Sequence, residues 1–409
     1  MKILFCSQYF PPEPGAPAAR VSELTRAWVA AGHDVTVLTA FPHHPTGIIP
    51  TEYRGKSLVR EDYFGVRVVR TWIYAAPNKG KIKRSLAYAS FAVSATSFGQ
   101  FFAETPDVVV ATSPQLLCAV AGRAVAFSRR CPFVFEVRDL WPESVVAVGA
   151  LPARHPIVSG LEVIEQSLYS AAAKIVVVTD TFRQKLTARG ISASKIDVIK
   201  NGVDLKRFVP RGDETALRMQ LGHEKFIVSY VGTHGMAHGL DAVLDAAKLL
   251  KHNPRVHFLF VGEGAERARL QARVLDEAIS NVTMMGVLPR ERMPEVYATS
   301  NLCLVPLRNA ELFTSVIPSK IFEIAAMERP IVLSVDGEAR VLVEASNGGV
   351  YVPPEDSLAM ARAIEQLASA PSKLAAMGKS ARAFVVREFD RDVLAKRYLG
   401  ILEQVASSS

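Results

Sequence analysis

Short, nearly unbroken runs of apolar residues recur along the first half of this chain: KILFCS, DVTVLT, DVVVAT, PFVFEV, KIVVVT and KIDVIK. None keeps the strict apolar and polar alternation of a half-exposed sheet, so they predict strands buried on both faces. Between the runs the apolar positions change to helical spacing. In AARVSELTRAWVAAGH, for example, Val21, Leu24, Trp28 and Val29 follow that spacing and Gly32 ends the pattern. Strands alternating with helices imply a parallel α/β sheet with right-handed crossovers.

After NGVDLKRFVPRGDE the pattern restarts, with FIVSYVG, RVHFLFVG, NVTMMG, NLCLVPL and PIVLSV as strands. A chain of 409 residues exceeds the size at which a single core keeps growing. The expected fold is therefore α/β, with two Rossmann-like parallel-sheet domains at 1–203 and 204–385. A last helical pattern, within about 386–409, carries Val393, Tyr398, Leu399 and Leu402 on one face and is expected to pack back on the first domain. Ligands of such sheets bind beyond the strand carboxyl ends, so two sheets facing an interdomain cleft are expected.

Composition adds limits. With 49% hydrophobic and 22% charged residues the chain reads as an ordinary folded protein. Cys6, Cys118, Cys131 and Cys303 are scattered without ligand spacing, which fits a reducing compartment, and the first apolar run is too short for a signal peptide. The window at 86–103 reaches spanning length but is interrupted by serines, a threonine and a glutamine, so a helix on or in the protein is expected and not a membrane span. A net charge of +8 favours anionic partners. No zinc-finger or RNA-binding signature accompanies it, which leaves phosphorylated ligands or anionic lipid headgroups and not nucleic acid. Lys79, Lys81, Lys83 and Arg84, just before the 86–103 window, read either as a solvated loop or as a contact with an anionic membrane.

The chemistry concentrates near PSKIFEIAAMERPIVLS, residues 318–334. Pro318 disfavours helix before it and Ser319 suits an N-cap, so a helix is expected from Lys320. Glu323 misses the capping-box position, which is Phe322. It also points roughly 200° from the apolar stripe of Ile321, Ile324 and Ala325. It reads either as an exposed first-turn carboxylate or as a ligand contact, with Lys320 and the N–H groups of 318–320 holding a phosphate while the carboxylate takes a sugar diol. GTHG at 232–235 supplies glycines where backbone can approach an anion, and GEG at 262–264 reads as a further strand-end turn. Asp139 and Glu143 follow the strand PFVFEV. AAMGKS lacks the earlier glycine of a P-loop, DRD at 390–392 opens a terminal helix, and His43 and His44 lack companions at metal-ligand spacing.

Taken together, ILFCSQYFPPEPGAPAARVSEL, VRDLWPES, IKNGVD, VGTHGMAHGLD, FVGEG and PSKIFEIAAMERPIV resemble, in order and spacing, the retaining glycosyltransferases of the GT-B fold, family four. The resemblance is nearest to the bacterial surface-polysaccharide branch that includes L-fucosamine transferases. It implies that Glu323 holds the donor ribose and that Pro318, Ser319, Lys320 and Ile321 wrap the donor sugar and diphosphate. Gly286 and Val287 would read the nucleobase through backbone groups, and Gly232, Thr233, His234 and Gly262 would line the donor site. Gly15 and the following position, Ala16, would approach phosphate and acceptor. Placed after the strand PFVFEV, Asp139, with Glu143, reads on its own position either as the group that orients or deprotonates the acceptor or, for Asp139, as a helix cap. The family's usual second glutamate is Ser315 here, with Glu311 four residues upstream. Its usual arginine and lysine after the first strand of the second domain give way to Thr233, His234 and His238, which leaves Lys320 to supply charge.

The implied reaction moves a sugar, of the L-fucosamine type or another N-acetylated deoxysugar, from a UDP-linked donor to a lipid-diphosphate glycan. It would need no metal or cofactor and would run in the cytoplasm, at the inner face of the membrane. A nucleotide-sugar epimerase of similar architecture and a noncatalytic nucleotide-sugar scaffold are the alternatives.

Overall fold

A computed structural model describes residues 1–44, 46–76, 81–100, 105–147, 151–152, 154–212 and 216–408; Lys79 lies outside them, as do the side chains of Lys81 and Arg84. The chain divides into two units, Met1–Lys200 with Asp392–Ser409, and Asn201–Arg391.

Unit 1 is built on β1 (Lys2–Cys6), β2 (Asp34–Ala40), β3 (Leu58–Tyr63), β4 (Val66–Thr71), β5 (Val108–Thr112), β6 (Phe133–Val137), β7 (Lys174–Val177) and β8 (Ile196–Val198). They form one sheet in the order β3-β4-β2-β1-β5-β6-β7-β8. Every pairing is parallel except the antiparallel β3–β4 hairpin. That hairpin corrects the expectation of a wholly parallel sheet. Its strands escape a search for apolar runs because charge is threaded through them: LVREDY is a half-exposed edge, and VRVVRT buries Arg70 by pairing it with Glu61 at 2.7 Å.

One face of the sheet packs Leu4, Cys6, Val109, Ala111 and Phe135 under the helices Lys81–Gly99 and Leu116–Arg129. The other buries Ile3, Phe5, Val108, Val110 and Val134 under the helix Ala16–Ala30 and the terminal helix Arg391–Ser407. Trp28 joins those last two helices. Its ring meets Tyr398 edge-on at 5.3 Å and its indole N–H donates to the Ala395 carbonyl at 3.0 Å.

Unit 2 is a six-stranded, wholly parallel sheet in the order β11-β10-β9-β12-β13-β14. Its strands are β9 (Phe226–Val231), β10 (Val256–Val261), β11 (Val282–Met285), β12 (Leu302–Pro306), β13 (Ile331–Ser334) and β14 (Gly349–Tyr351). β14 has only three residues and carries no periodicity of its own. Strand order reverses between β1 and β5 in unit 1 and between β9 and β12 in unit 2, the places where such sheets leave a crevice at their carboxyl edge. Among the described residues no helix is long and apolar enough to cross a membrane.

Candidate functional site

In unit 2 the loops leaving β9 and β10 lie directly against each other. A Cβ at Gly262 would stand 2.0 Å from the Gly232 carbonyl oxygen, and one at Gly264 would stand 2.3 Å from that of His234. Only glycine permits that approach. The loops are stitched by Gly232 N–H to Val261 O at 2.9 Å and His234 N–H to Glu263 O at 2.8 Å. Thr233 is exposed, and its carbonyl accepts the Tyr230 hydroxyl at 2.6 Å.

Lys320 reaches this loop from the helix Lys320–Ala326, which follows β12. Its Nζ lies 4.0 Å from the centre of the Tyr230 ring, would be 2.7 Å from a Cβ at Gly232, and has no hydrogen-bond partner in the protein. Burial brings its pKa down to about 7, against the opposing pull of Glu323 and Cys303. His234 is fully buried with both ring nitrogens unpartnered. Burial first, then the charges of Arg267 and Lys320, bring it to about 4. His238 falls to about 4 through burial and Lys320. Near neutral pH the two imidazoles therefore offer N–H donors and no charge.

Glu323 does not stand on a free outer face, and this corrects the picture from helical spacing. Ile321, Phe322, Ile324, Ala325 and Ala326 are all buried, because this helix packs against β12, β13 and the helix Pro371–Glu388 together. The Glu323 side chain keeps 20% exposure and is held from two sides. Tyr297 donates its hydroxyl to Oε2 at 3.2 Å and Arg290 stands 3.8 Å from Oε1. Burial raises the carboxyl pKa while Arg290, Tyr297, Lys320 and Arg207 hold it down.

The helix starts at Lys320 as its sequence predicts, with Ser319 in the N-cap position, but Ser319 does not cap it with its side chain. Its backbone is already helical (φ −59°, ψ −24°) and its hydroxyl makes no capping bond, because the first turn closes from Pro318, whose carbonyl accepts the Ile321 N–H at 3.0 Å. The Ile321 side chain belongs to the core. Gly286 lies beside Glu263, Val287 is exposed, Ser315 is buried with its hydroxyl on the Leu312 carbonyl, and Glu311 is exposed.

In unit 1, Gly15 (φ 116°) and Ala16 are exposed where the helix Ala16–Ala30 begins. Ser113, just after β5, accepts the N–H groups of Arg138 and Asp139 at 2.7 and 3.2 Å, which fixes the loop after β6 against the switch point. Burial lifts the Asp139 carboxyl to about 6, with Ser144 and the Leu140 N–H pulling the other way. Glu143 is engaged elsewhere, by Lys185 at 3.0 Å and Arg189 at 2.5 Å.

Glu13 is the functional-looking residue that the sequence pattern missed. Its carboxylate accepts the N–H groups of His43 at 3.0 Å, His44 at 2.9 Å and Phe10 at 3.4 Å, tying the loops after β1 and β2 together. Burial raises it to about 7. The only local signal was an acid placed among prolines at a strand end. Two of its three partners lie far along the chain, in the same FPHHPTG segment that shows no metal-ligand spacing.

Comparison with known proteins then bears on this geometry. Residues 15–202 match the "Glycosyl transferase 4-like domain" and residues 225–370 match "Glycosyl transferases group 1". Over 411 residues the chain is 26% identical to the putative colanic acid biosynthesis glycosyl transferase WcaI of Escherichia coli K12, covering 98% of this chain and 99% of the relative. It is 23% identical to the probable glycosyltransferase WbjE of Pseudomonas aeruginosa, over 74% and 76% of the two chains. Among solved structures, sucrose-phosphate synthase from Thermosynechococcus elongatus superposes with a TM-score of 0.79 at 20% identity, over 100% of both chains. Anabaena HepE in complex with UDP-glucose gives 0.73 at 18%, also over 100% of both. The structural likenesses speak to the fold.

Proposed function

Because this chain belongs to the GT-B glycosyltransferases of family four, we propose that it transfers a sugar, with retention of anomeric configuration, from a UDP-linked donor to a lipid-diphosphate-linked glycan in bacterial polysaccharide assembly. The observation that carries the reading is the end of β9: an amine without a partner, beside two backbone turns that only glycine allows, next to a carboxylate already aimed by Tyr297 and Arg290. A nucleotide sugar offers what those groups lack, a diphosphate for Lys320 and a ribose diol for Glu323. The names of WcaI and WbjE support the polysaccharide setting, and the UDP-glucose in HepE supports the donor class.

In this reading unit 2 stabilises the charge that develops on the departing diphosphate, through Lys320 and the N–H donors of the 232–235 loop, without recourse to a metal. Asp139 in unit 1 orients the acceptor hydroxyl; its raised pKa leaves it able to take up a proton near neutrality. An L-fucosamine-type sugar is the donor favoured by the surface-polysaccharide resemblance. Peripheral membrane contact fits the lipid acceptor: Trp72, Tyr74, Leu86 and Val93 line an open apolar groove of about 450 Å³, with Lys83 exposed nearby.

The test is a panel of nucleotide sugars in thermal denaturation. UDP-linked donors should stabilise the protein and Glu323→Ala should markedly reduce the shift at the same ligand concentration. Stabilisation by none of them would refute the donor site. The anomeric configuration of the product, read by NMR coupling constants, tests retention.

A further inference from the structure

We infer that Lys320 in the protein by itself gives up its charge as pH rises above neutrality, and that a nucleoside diphosphate then binds in unit 2 together with a proton, which Lys320 takes up. The inference rests on the donor-site reading above.

The geometry of the amine is the starting point. Nζ is closed to solvent and has no hydrogen-bond acceptor in the protein. Toward it face Tyr230 from β9, His234 and His238 from the loop after β9, Cys303 from β12 and Glu323 from its own helix. Beyond these stand Arg267 near His234, Arg290 and Arg207 near Glu323, and Arg329 near Cys303. The only carboxylate among these groups, Glu323, is committed to Tyr297 and Arg290, and among the described residues none lies within ion-pair distance of Nζ. The Tyr230 ring gives a cation–π contact but cannot accept the three ammonium hydrogens as oxygen would. An ammonium in such a place gives up its proton, and burial does bring Lys320 to about 7.

The neighbouring imidazoles do not make up the deficit, since both are driven to about 4. The loop after β9 therefore presents donors but no full positive charge of its own. A diphosphate seated there supplies both what the amine lacks, acceptor oxygens and negative charge, and each favours the ammonium. Linkage then fixes the sign. The bound state holds more protons at Lys320 than the free state, so affinity weakens as pH rises above about 7, by up to tenfold per pH unit until the bound-state pKa is passed. The second ionisation of the ligand's terminal phosphate lies near 6, so above about pH 7.5 the proton cannot come from the ligand.

The experiment is titration calorimetry of the full chain with UDP, and in parallel with GDP, at pH 8 in phosphate-free buffers of contrasting ionisation enthalpy. A group of pKa about 7 that becomes fully protonated on binding takes up roughly 0.9 proton at that pH, so the observed heat should follow the buffer's ionisation enthalpy with about that slope. Lys320→Arg, which cannot lose its charge, should bind UDP with no buffer dependence and a flat profile from pH 7 to 9. Lys320→Met should bind more weakly and also without proton uptake, which covers the case in which the arginine does not fit; circular dichroism checks the fold of both. Buffer-independent heat in the wild type, with UDP bound, overturns the proton coupling and leaves the donor site standing. Uptake that survives in Lys320→Met overturns the assignment to Lys320. Failure of either diphosphate to bind at millimolar concentration overturns the donor site and this inference with it.

Discussion

The carboxyl edge of β9 in unit 2 and that of β1 in unit 1 are the same kind of place in two sheets of similar topology. At both, burial lowers histidines and raises acids, but the first is distinguished by a buried amine and the second by strongly raised carboxyls. Around β9 the basic groups lose protons: Lys320 descends to about 7 and both histidines to about 4. Around β1 and β6 the acids keep theirs: Glu13 climbs to about 7 and Asp139 to about 6. Burial disfavours whichever form is charged, so each edge is left close to neutral and short of one kind of partner. The first lacks an anion, whereas the second lacks a group that shares a proton, such as a sugar hydroxyl. What each edge can receive thus follows from which residue types were buried there.

The largest expected effects come from removing the group that defines each edge. Lys320→Met should lower kcat/KM for the donor by about two to three orders of magnitude, the loss typical of one donor aimed at developing charge. Asp139→Asn should lower kcat by on the order of a hundredfold and leave UDP affinity in calorimetry unchanged. If Asp139→Asn weakened UDP binding as much as Lys320→Met does, the contrast between the edges would collapse. Next in size is Glu323→Ala. Loss of a hydrogen bond to a charged group costs about 1.5–3 kcal/mol, so UDP affinity should fall roughly ten- to a hundredfold, with Asp139-dependent steps untouched.

How legible this was in sequence differs between strands and sites. The buried strands announced themselves because two covered faces demand unbroken apolar runs, and FIVSYV or DVVVAT can be little else. The β3–β4 hairpin was not legible, since Arg70 becomes a buried residue only through Glu61 and the Pro11 carbonyl, contacts made by the finished fold. The same holds at the sites. Spacing located Glu323 but could not supply Tyr297 and Arg290, which come from the preceding turn and helix and turn a solvated carboxylate into an aimed one. Spacing left the charge of His234 and His238 open and passed the cationic role to Lys320; only burial shows that the imidazoles are neutral. Glu13 stayed silent because two of the three N–H groups that define it, those of His43 and His44, reach it only when β1 and β2 pair.

The smallest effect sharpens the comparison through stability. Glu13 has a folded pKa of about 7 against an ordinary 4.5, and Asp139 about 6 against 3.8. For a raised acid the native state holds its proton longer than the unfolded chain, so stability is greatest below the ordinary pKa and is lost as pH rises from about 4 to 7, then levels off. Lys320 has its folded pKa lowered, from 10.5 to about 7, so it opposes folding at low pH and the penalty fades as pH rises from about 7 to 10.5. The two windows do not overlap. Urea unfolding should show the Glu13 contribution as a decline on the order of 1–3 kcal/mol between pH 4 and 7. The difference between variant and wild type cancels the opposite slope of His234 and His238 and the slope of Asp139 in the same window. In that difference Glu13→Gln, which cannot ionise, should remove this decline and leave the rise above pH 7 in place, while Lys320→Met should do the reverse. A double variant whose profile is not the sum of the two would mean that the edges are coupled, and that the opposite shifts do not arise independently in each unit.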